Sequence, residues 1–359
     1  MQNSNVYLVA IESSIPDVYA PSDLVKAHYP EEKIGRKTAK YASLLSAKMG
    51  LASRTSVLDL AALPEKQLKD QRFAPKAWGV RMLRDLMAQS GVSDIGFASV
   101  AYNISSHQEI LPNLACQITQ ELGLDLDAIP QVLPFYGCAA GIFALRSAVE
   151  YCQKNQRAAA VFTFDQCSWI NSPLHDHDNP LFRENLRANL LFSDGAVAIL
   201  LVPQALMTPS LAKRALRVVD TDVGYSPGDA IKMKGELFLV GDEVANTMPQ
   251  LVAAKSVRPL LAKHGLGAAQ VQEWSIHQGG ANVLDKFKDT NILGLTDAQL
   301  EASRALFFQF GNFSAPSCLF VLERHFHAPV GKSSTGAVVG FGAGYYYGTL
   351  LYEKAAFAA

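Results

Sequence analysis

The chain has 359 residues, of which 49% are hydrophobic and 18% are charged, with 32 basic and 33 acidic side chains. A chain of this size and composition can bury a large core, in two units or in one large α/β domain. Its near-neutral charge argues against nucleic acid or an anionic membrane surface as a partner. The apolar runs are too short to span a bilayer, and the first five residues lack the basic start of a signal peptide. Five cysteines without CxxC spacing indicate free thiols in a reducing compartment, so we expect a cytoplasmic protein.

Taken in chain order, short apolar runs predict buried strands, and longer runs with helical spacing predict helices between them. The predicted strands are 6–11, 95–102, 158–164, 196–202, 274–276, 318–322 and 337–341. The predicted helices are 76–90, 111–122, 141–155, 243–263 (in two pieces, because of its prolines) and 281–290. Residues 165–187, rich in Asp, His, Asn and Pro, predict a long loop. The alternation of strands and helices predicts an α/β fold. The order of elements repeats weakly, which suggests two similar halves, 1–204 and 205–359.

The stretch 131–150 is the most informative part of the chain. A short apolar run meets Gly137 and Cys138, and an amphipathic helix then begins. A cysteine at a helix N-terminus is expected to have a lowered pKa and to be a strong nucleophile, because the helix dipole and unpaired N–H groups stabilise a thiolate. The alternative is that Cys138 is a small buried hydrophobic residue, the commonest role of a free cysteine.

Three later segments carry residues that could work with this cysteine. The first is a short strand that ends at His277 before a glycine pair, and the second is a turn around Asn312. The third is the glycine-rich turn 340–344, which follows a predicted strand. Each alone has an ordinary structural explanation, since Gly-Asn pairs and glycine runs are common in turns. Their occurrence together, after a cysteine at the start of a helix, favours a catalytic site.

These motifs resemble the thiolase-fold condensing enzymes, and the resemblance covers nearly the whole chain. The matching motifs are GCAAG around Cys138, FSDGAVAIL at 192–200, HQGGANVLD at 277–285, GNFSAPS at 311–317 and GFGAG at 340–344. The nearest branches are ketoacyl-carrier-protein synthase III and the chalcone-synthase-like type III polyketide synthases. The His-Gln pair is more like the first branch and the spacing to Asp285 more like the second, so both branches stay open.

The resemblance implies a five-layered αβαβα fold and a catalytic triad. Cys138 would accept the acyl group, while neutral His277 and Asn312 would stabilise the enolate of a malonyl-type thioester. The N–H groups of Cys138 and Ala343 would form the oxyanion hole, since Ala343 replaces a proline of many chalcone-synthase-like enzymes and so keeps its N–H. Acyl-coenzyme A or acyl-carrier-protein thioesters are the implied substrates, and a homodimer or a dimer with a paralogue is the implied assembly. No cofactor or metal is implied.

The resemblance also suggests substrate-binding residues, each with a structural alternative. Arg54 resembles a residue in the segment that contacts the nucleotide end of coenzyme A, or it is simply an exposed arginine. Leu111 resembles the residue that caps the neighbouring subunit's acyl tunnel, or it packs at a helix start. Gly344 belongs to the glycine-rich turn beside the substrate. Asp194 matches an aspartate that is expected to be structural.

The function that these residues predict is formation of a carbon–carbon bond by Claisen condensation. The acyl group on the cysteine would condense with a malonyl- or β-ketoacyl-type thioester, in fatty-acid synthesis or, more in keeping with the long loop, in a polyketide, resorcinol or quinolone-like pathway. The alternative is a catalytically silent subunit that pairs with an active paralogue. Because degenerate subunits usually lose the cysteine or the histidine, the intact triad favours an enzyme. The acidic and histidine-containing run 175–178 lacks a further spaced ligand, so no metal site is predicted there.

Overall fold

The computed structural model describes residues 5–170, 172–234, 237–241, 243–329 and 333–354. Its strands are β1 Val6–Ser14, β2 Asp17–Tyr19, β3 Arg54–Ser56, β4 Ile95–Tyr102, β5 Gln131–Pro134, β6 Ala158–Asp165, β7 Gly195–Pro203, β8 Leu216–Tyr225, β9 Ile231–Lys234, β10 Leu237–Val240, β11 Glu273–Ile276, β12 Ser334–Phe341 and β13 Tyr346–Lys354. Nine of them form one mixed sheet in the order β11-β12-β13-β8-β1-β7-β6-β4-β5.

The helices pack on both faces of this sheet and between its two halves. They are α1 Pro21–His28, α2 Glu31–Ile34, α3 Arg36–Met49, α4 Pro75–Ser90, α5 Leu114–Glu121, α6 Ala140–Asn155, α7 Phe182–Leu191, α8 Pro209–Ala212, α9 Val244–Val252, α10 Arg258–Lys263, α11 Ala281–Lys286, α12 Asp297–Phe310 and α13 Ser317–His327. A π-helical segment, Ala253–Val257, joins α9 to α10 without a break.

Five layers follow from which apolar faces are in contact. The first core lies between α6, α13 and the facing strands of both halves of the sheet. A second core covers the outer face of the C-terminal half with α9 to α12, and a third covers the outer face of the N-terminal half with α4 and α5. The predicted α/β class and the αβαβα layering are confirmed. Antiparallel pairing of β1 with β8 joins the two halves into one sheet across the proposed boundary at 204/205, and that boundary stays a prediction.

The main error of the sequence-based prediction is at residues 318–322, which were expected to form a strand but belong to helix α13. Because α13 lies between the two halves of the sheet, the run Cys318–Leu322 is apolar on every side and lacks the polar face that identifies a surface helix. The predicted loop 165–187 is also partly wrong, since α7 begins at Phe182. Strands β8 and β13, which join the halves, were not predicted.

The described part of the chain holds no helix that is long and apolar enough to cross a membrane.

Candidate active site

Cys138 lies in a short 3₁₀ turn, Gly137–Ala139, between strand β5 and helix α6. The expected position at a helix N-terminus is therefore confirmed. Gly137 has φ +56°, a backbone conformation that side chains disfavour. A methyl group at Gly137 would lie 2.5 Å from the amide nitrogen of Ala343. Glycine is thus required here by the positive φ and by the close approach of the Ala343 backbone. This close approach places the cysteine turn against the segment that follows β12.

The segment after β12 supplies the second wall of the site. A methyl group at Gly342 would lie 2.3 Å from the amide nitrogen of Cys138, so only glycine allows the two backbones to approach this closely. Ala343 starts a second 3₁₀ turn, Ala343–Tyr345. The first N–H groups of such turns have no partner within the turn, so the amides of Cys138 and Ala343 are suited to act as donors. Gly344 has φ +69°, which gives it a conformational role, and its contact with substrate stays a prediction.

Asn312 is held in one orientation by its own turn. Its Oδ1 accepts hydrogen bonds from the Ser314 amide at 2.7 Å and from the Ser317 hydroxyl at 3.0 Å. Because the acceptor side of the amide is occupied, Nδ2 is the group that remains for donation. The Ser314 hydroxyl oxygen is also 3.6 Å from the Cys138 sulfur. The turn that fixes the Asn312 amide thus contacts the cysteine as well.

His277 follows β11 and lies beside β12. Its backbone N–H donates to the Val339 carbonyl at 2.8 Å, and its ring meets the ring of Phe341 edge-on, with centroids 5.2 Å apart. His277 and Cys138 therefore flank the same end of β12. Burial lowers the pKa of His277 to about 3, so its ring is neutral at physiological pH, as expected. Within the described ranges, Nδ1 of this ring has no hydrogen-bond partner.

The expected low pKa of Cys138 is wrong. Burial raises the pKa of this thiol to about 12, and the hydrogen bond to Ser314 offsets only part of that effect. The side chain is 7% exposed, so the thiolate would lose almost all of its hydration. The helix dipole lowers the pKa of this thiol, but the loss of water around the thiolate outweighs the dipole. Cys138 and His277 are thus a neutral pair before substrate binds.

A buried polar network behind Cys138 was not predicted from the sequence. The Asp165 carboxylate accepts hydrogen bonds from the Asn103 amide at 2.7 Å and from the Ala315 amide at 2.9 Å. The Asn103 side chain donates to Asp165 at 2.9 Å and to the Gly137 carbonyl at 3.0 Å. These contacts tie the cysteine turn to the turn that carries Asn312. The available signal was an acidic residue that ends β6, a strand that is otherwise apolar except for Thr163.

The structure contradicts the prediction that Arg54 contacts a nucleotide. Arg54 is 2% exposed, and its Nε and Nη2 donate to the carbonyls of Phe192 at 3.1 Å and Asn189 at 3.3 Å. It is neither an exposed arginine nor a surface contact for coenzyme A. Asp194 has the expected structural role: it accepts from the amides of Val57 and Ser168, each at 2.7 Å, and burial raises its pKa to about 6.

Two other segments, the one around Leu111 and residues 176–178, lie on the surface. Leu111 is 85% exposed and its neighbour Ile110 is 76% exposed, so Leu111 does not pack against its own chain. Asp176, His177 and Asp178 place their ligand atoms within 4.8 Å of one another, but all three are exposed. Exposed groups of this kind are common without a metal, and nothing else in the described chain completes a metal site there.

Comparison with known proteins agrees with this architecture. PKS-I of the brown alga Ectocarpus siliculosus superposes with a TM-score of 0.78 at 19% identity, with 99% of both chains covered. The C-terminal type III polyketide synthase domain of Steely1, a type I/III hybrid from Dictyostelium, gives 0.75 at 18% identity, with 98% of this chain and 100% of that chain covered. The fold is therefore the thiolase fold.

Sequence comparison shows which thiolase-fold proteins this chain is similar to. The C-terminal domain family of chalcone and stilbene synthases matches residues 228–354. Type III polyketide synthase B of Arabidopsis thaliana is 26% identical over 76% of this chain and 67% of its own length. The 1,3,6,8-tetrahydroxynaphthalene synthase of Streptomyces coelicolor is 26% identical over 66% of this chain and 61% of its own length. The chain has the thiolase fold, and its sequence is similar to those of type III polyketide synthases.

Proposed function

We propose that the protein is an acyltransferase that forms carbon–carbon bonds in the manner of a type III polyketide synthase. The observation that carries this proposal is the contact of Cys138 with both the Asn312 turn and Gly342 at the end of β12, and His277 lies beside the same strand at Val339. Such an arrangement would supply a nucleophile, a neutral base and preorganised donors in a buried site.

In the loading step, His277 takes the proton of Cys138 as the sulfur attacks the carbonyl carbon of an acyl thioester. The N–H groups of Cys138 and Ala343 donate to the oxyanion that forms. Collapse of this intermediate breaks the original carbon–sulfur bond, and the leaving thiolate takes a proton from water. His277 becomes neutral again by losing the proton of its other ring nitrogen to water, so it keeps an N–H that faces the acyl group. The acyl group is then held on Cys138 as a new thioester.

In the condensation step, a malonyl-type thioester loses carbon dioxide and leaves an enolate. Neutral His277 and Nδ2 of Asn312 donate to the enolate oxygen, where negative charge develops. Asn312 suits this task because its Oδ1 is already occupied and its amide does not titrate. The enolate carbon attacks the acyl carbonyl and the Cys138 sulfur leaves, which regenerates the thiol after it takes up a proton.

The exposed Leu111 and Ile110 support a dimer in which this segment covers a neighbouring acyl site. Single exposed apolar side chains are common on protein surfaces, whereas two large ones that follow each other in the chain are typical of an interaction surface. The partner would be a second copy or a paralogue. Sedimentation should detect a dimer at micromolar concentration, and a monomer at that concentration would contradict it.

The function is tested by intact-mass measurement after exposure to a panel of acyl-coenzyme A and acyl-carrier-protein thioesters. The wild type should gain the mass of one acyl group, and Cys138→Ala should gain none. Cys116→Ala is the matched control, since Cys116 is the most exposed of the five cysteines and should not affect loading. If no donor acylates the wild type, the silent-subunit alternative is favoured. If Cys138→Ala is acylated, the assignment of Cys138 as the nucleophile is refuted. The mass gained would also name the donor, and product analysis would identify the pathway.

A further inference from the structure

The hydroxyl of Ser314 is the polar side-chain group that contacts the Cys138 sulfur. Its oxygen lies 3.6 Å from the sulfur, which is a hydrogen-bonding distance for a thiol. Among the residues that the structure describes, no other side-chain nitrogen or oxygen lies within hydrogen-bonding distance of this sulfur. Ser314 is only 5% exposed, so little water can compete for the contact. Ser314 is therefore the side chain best placed to respond to charge on the sulfur.

The surroundings of the hydroxyl determine the direction of this hydrogen bond. While both groups are neutral, either atom could be the donor. Once the thiol has lost its proton, the sulfur can only accept, so the hydroxyl must donate. On its other side, Oγ of Ser314 faces a donor, Nδ2 of Asn103, at 3.4 Å. In the described part of the chain, the Cys138 sulfur is the only acceptor within hydrogen-bonding distance of the hydroxyl, so its hydrogen is left to point at the sulfur.

The donor that faces Ser314 is itself fixed by the buried network. Nδ2 of Asn103 also donates to the Asp165 carboxylate at 2.9 Å and to the Gly137 carbonyl at 3.0 Å, so its two hydrogens serve three acceptors. The same carboxylate accepts from the backbone N–H of Ala315, the residue that follows Ser314, at 2.9 Å. The cysteine turn and the serine are thus held by one carboxylate. A donor fixed in this way needs no reorganisation when charge develops on the sulfur.

The backbone of Ser314 does not explain why a serine stands at this position. Its φ is +61°, in the left-handed region that glycine and asparagine adopt more readily than serine. Its amide donates to Oδ1 of Asn312 at 2.7 Å, a contact that other residues could make equally well. What serine adds to this turn is its hydroxyl. Residues that hold an unfavourable backbone conformation cluster at functional sites.

From these contacts we propose that Ser314 is a catalytic residue, whose hydroxyl donates a hydrogen bond to the Cys138 sulfur whenever the sulfur carries negative charge. In the loading step, that charge develops as the thiol proton leaves for His277. In the condensation step, it develops again as the carbon–sulfur bond of the acyl-enzyme breaks. Ser314 keeps its own proton throughout. This inference rests on the proposed function and adds a residue that acts in both steps, whereas Asn312 acts on the enolate alone.

The test first measures the reactivity of the sulfur without any thioester. Cys138 is alkylated with iodoacetamide, a small neutral reagent that needs no oxyanion hole, and peptide mass spectrometry reports each cysteine separately. Because the thiolate is the reactive form, loss of a hydrogen bond to the charged sulfur should slow alkylation of Cys138 by about tenfold. Ser314→Ala and Ser314→Gly should both show this loss, since both lack the hydroxyl. Single-turnover loading by an acyl thioester should slow by a similar factor.

Two comparisons separate the hydroxyl from the backbone. Glycine relieves the left-handed conformation at Ser314 and alanine does not, so equal losses in the two variants assign the effect to the hydroxyl. Gln156→Gly is the matched control for the backbone change. Gln156 also has a positive φ, +58°, and it is exposed at the end of α6 that lies away from Cys138. This variant should keep the wild-type rates of alkylation and loading.

Three results would overturn the proposal. They are unchanged alkylation of Cys138 in both Ser314 variants, a loss in Ser314→Ala that Ser314→Gly does not share, and an equal loss in Gln156→Gly. The second would assign the effect to the backbone, and the third to a general change in the protein. The proposed function fails by a different result. If the Ser314 variants are alkylated more slowly but no acyl thioester loads the wild type, the hydrogen bond to the sulfur is supported and the acyltransferase function is contradicted.

Discussion

Replacement of Gly342 by alanine is the sharpest test of the site's backbone geometry. The new methyl carbon would lie 2.3 Å from the Cys138 amide nitrogen, about 1.1 Å short of the 3.4 Å at which ordinary contact begins. Gly342 has φ −176°, so alanine is not strained by its own backbone, and the whole effect is steric. The nearest atoms are the backbone nitrogen, Cβ and Cα of Cys138, so the relief must come from moving the Cys138 turn or the Ala343 turn by about 1 Å.

That displacement separates the two amides that we assign to the oxyanion hole. Losing one such donor costs about 10²–10³ in rate. Overpacking of this kind also costs about 1–3 kcal/mol in the free energy of unfolding. We therefore expect Gly342→Ala to remain folded but to load acyl groups about 10²-fold more slowly than the wild type.

The assay is single-turnover loading of Cys138, followed by intact mass, with thermal unfolding measured in parallel. Gly267→Ala is the control, because a methyl group there would meet only the Gln270 side chain, at an ordinary 3.6 Å. Loading by Gly342→Ala within twofold of the wild type, with the fold intact, would refute this account of the oxyanion hole.

Three further predictions concern the chemistry, the acyl length and the acid stability. His277→Ala and Asn312→Ala should each slow condensation by about 10²–10³, while loading stays measurable in the Asn312 variant; a wild-type condensation rate in either would remove that residue from the site. Leu111→Ala should shift the preferred donor to longer chains, by roughly fourfold in kcat/KM per methylene at about 0.8 kcal/mol each, and an unchanged length optimum would exclude Leu111 as the cap. The pKa values of His28 and His277 are lowered by burial to about 4 and about 3, so the folded state binds fewer protons than the unfolded state below pH ~6.5. Stability should then fall from pH 6.5 toward pH 4, although the raised pKa values of Asp194, to about 6, and of Asp165 let the folded state take up protons there and oppose part of this fall. Denaturant unfolding at pH 7 and pH 5 measures this, and a higher midpoint at pH 5 would contradict it.

The elements that the sequence predicted well have a clear period and clear ends. Helix α6 was predicted within one residue because its apolar positions recur at helical spacing on one buried face. Strand β4 was predicted with its correct bounds because its apolar run is short and bounded by polar residues. The run 318–322 of helix α13 was mistaken for a strand because this part of the helix is buried on all sides, and helical periodicity disappears where every side of a helix is buried.

The residues of the site also divide into those that the sequence predicted and those that it did not. Cys138, His277 and Asn312 were found because each stands beside glycines in a short motif, and motifs are local. Burial is not local: Arg54 follows a helix and a glycine in a polar stretch, yet α7 and the Phe192 segment enclose it completely. The same holds for Asn103 and Asp165, which lie more than 60 positions apart, so that their contact follows only from the pairing of β4 with β6.

The electrostatics of the buried pair decide how such a site could work. A permanent thiolate–imidazolium pair would need the pKa of Cys138 below that of His277, whereas burial raises the first to about 12 and lowers the second to about 3. Both shifts have the same cause, the loss of water around a charge. The same dry environment strengthens the donors at Asn312 and at the two backbone amides, because fixed dipoles interact more strongly where water does not screen them. Charge is therefore expected at Cys138 and His277 only when an acyl thioester provides a carbonyl oxygen on which it can develop.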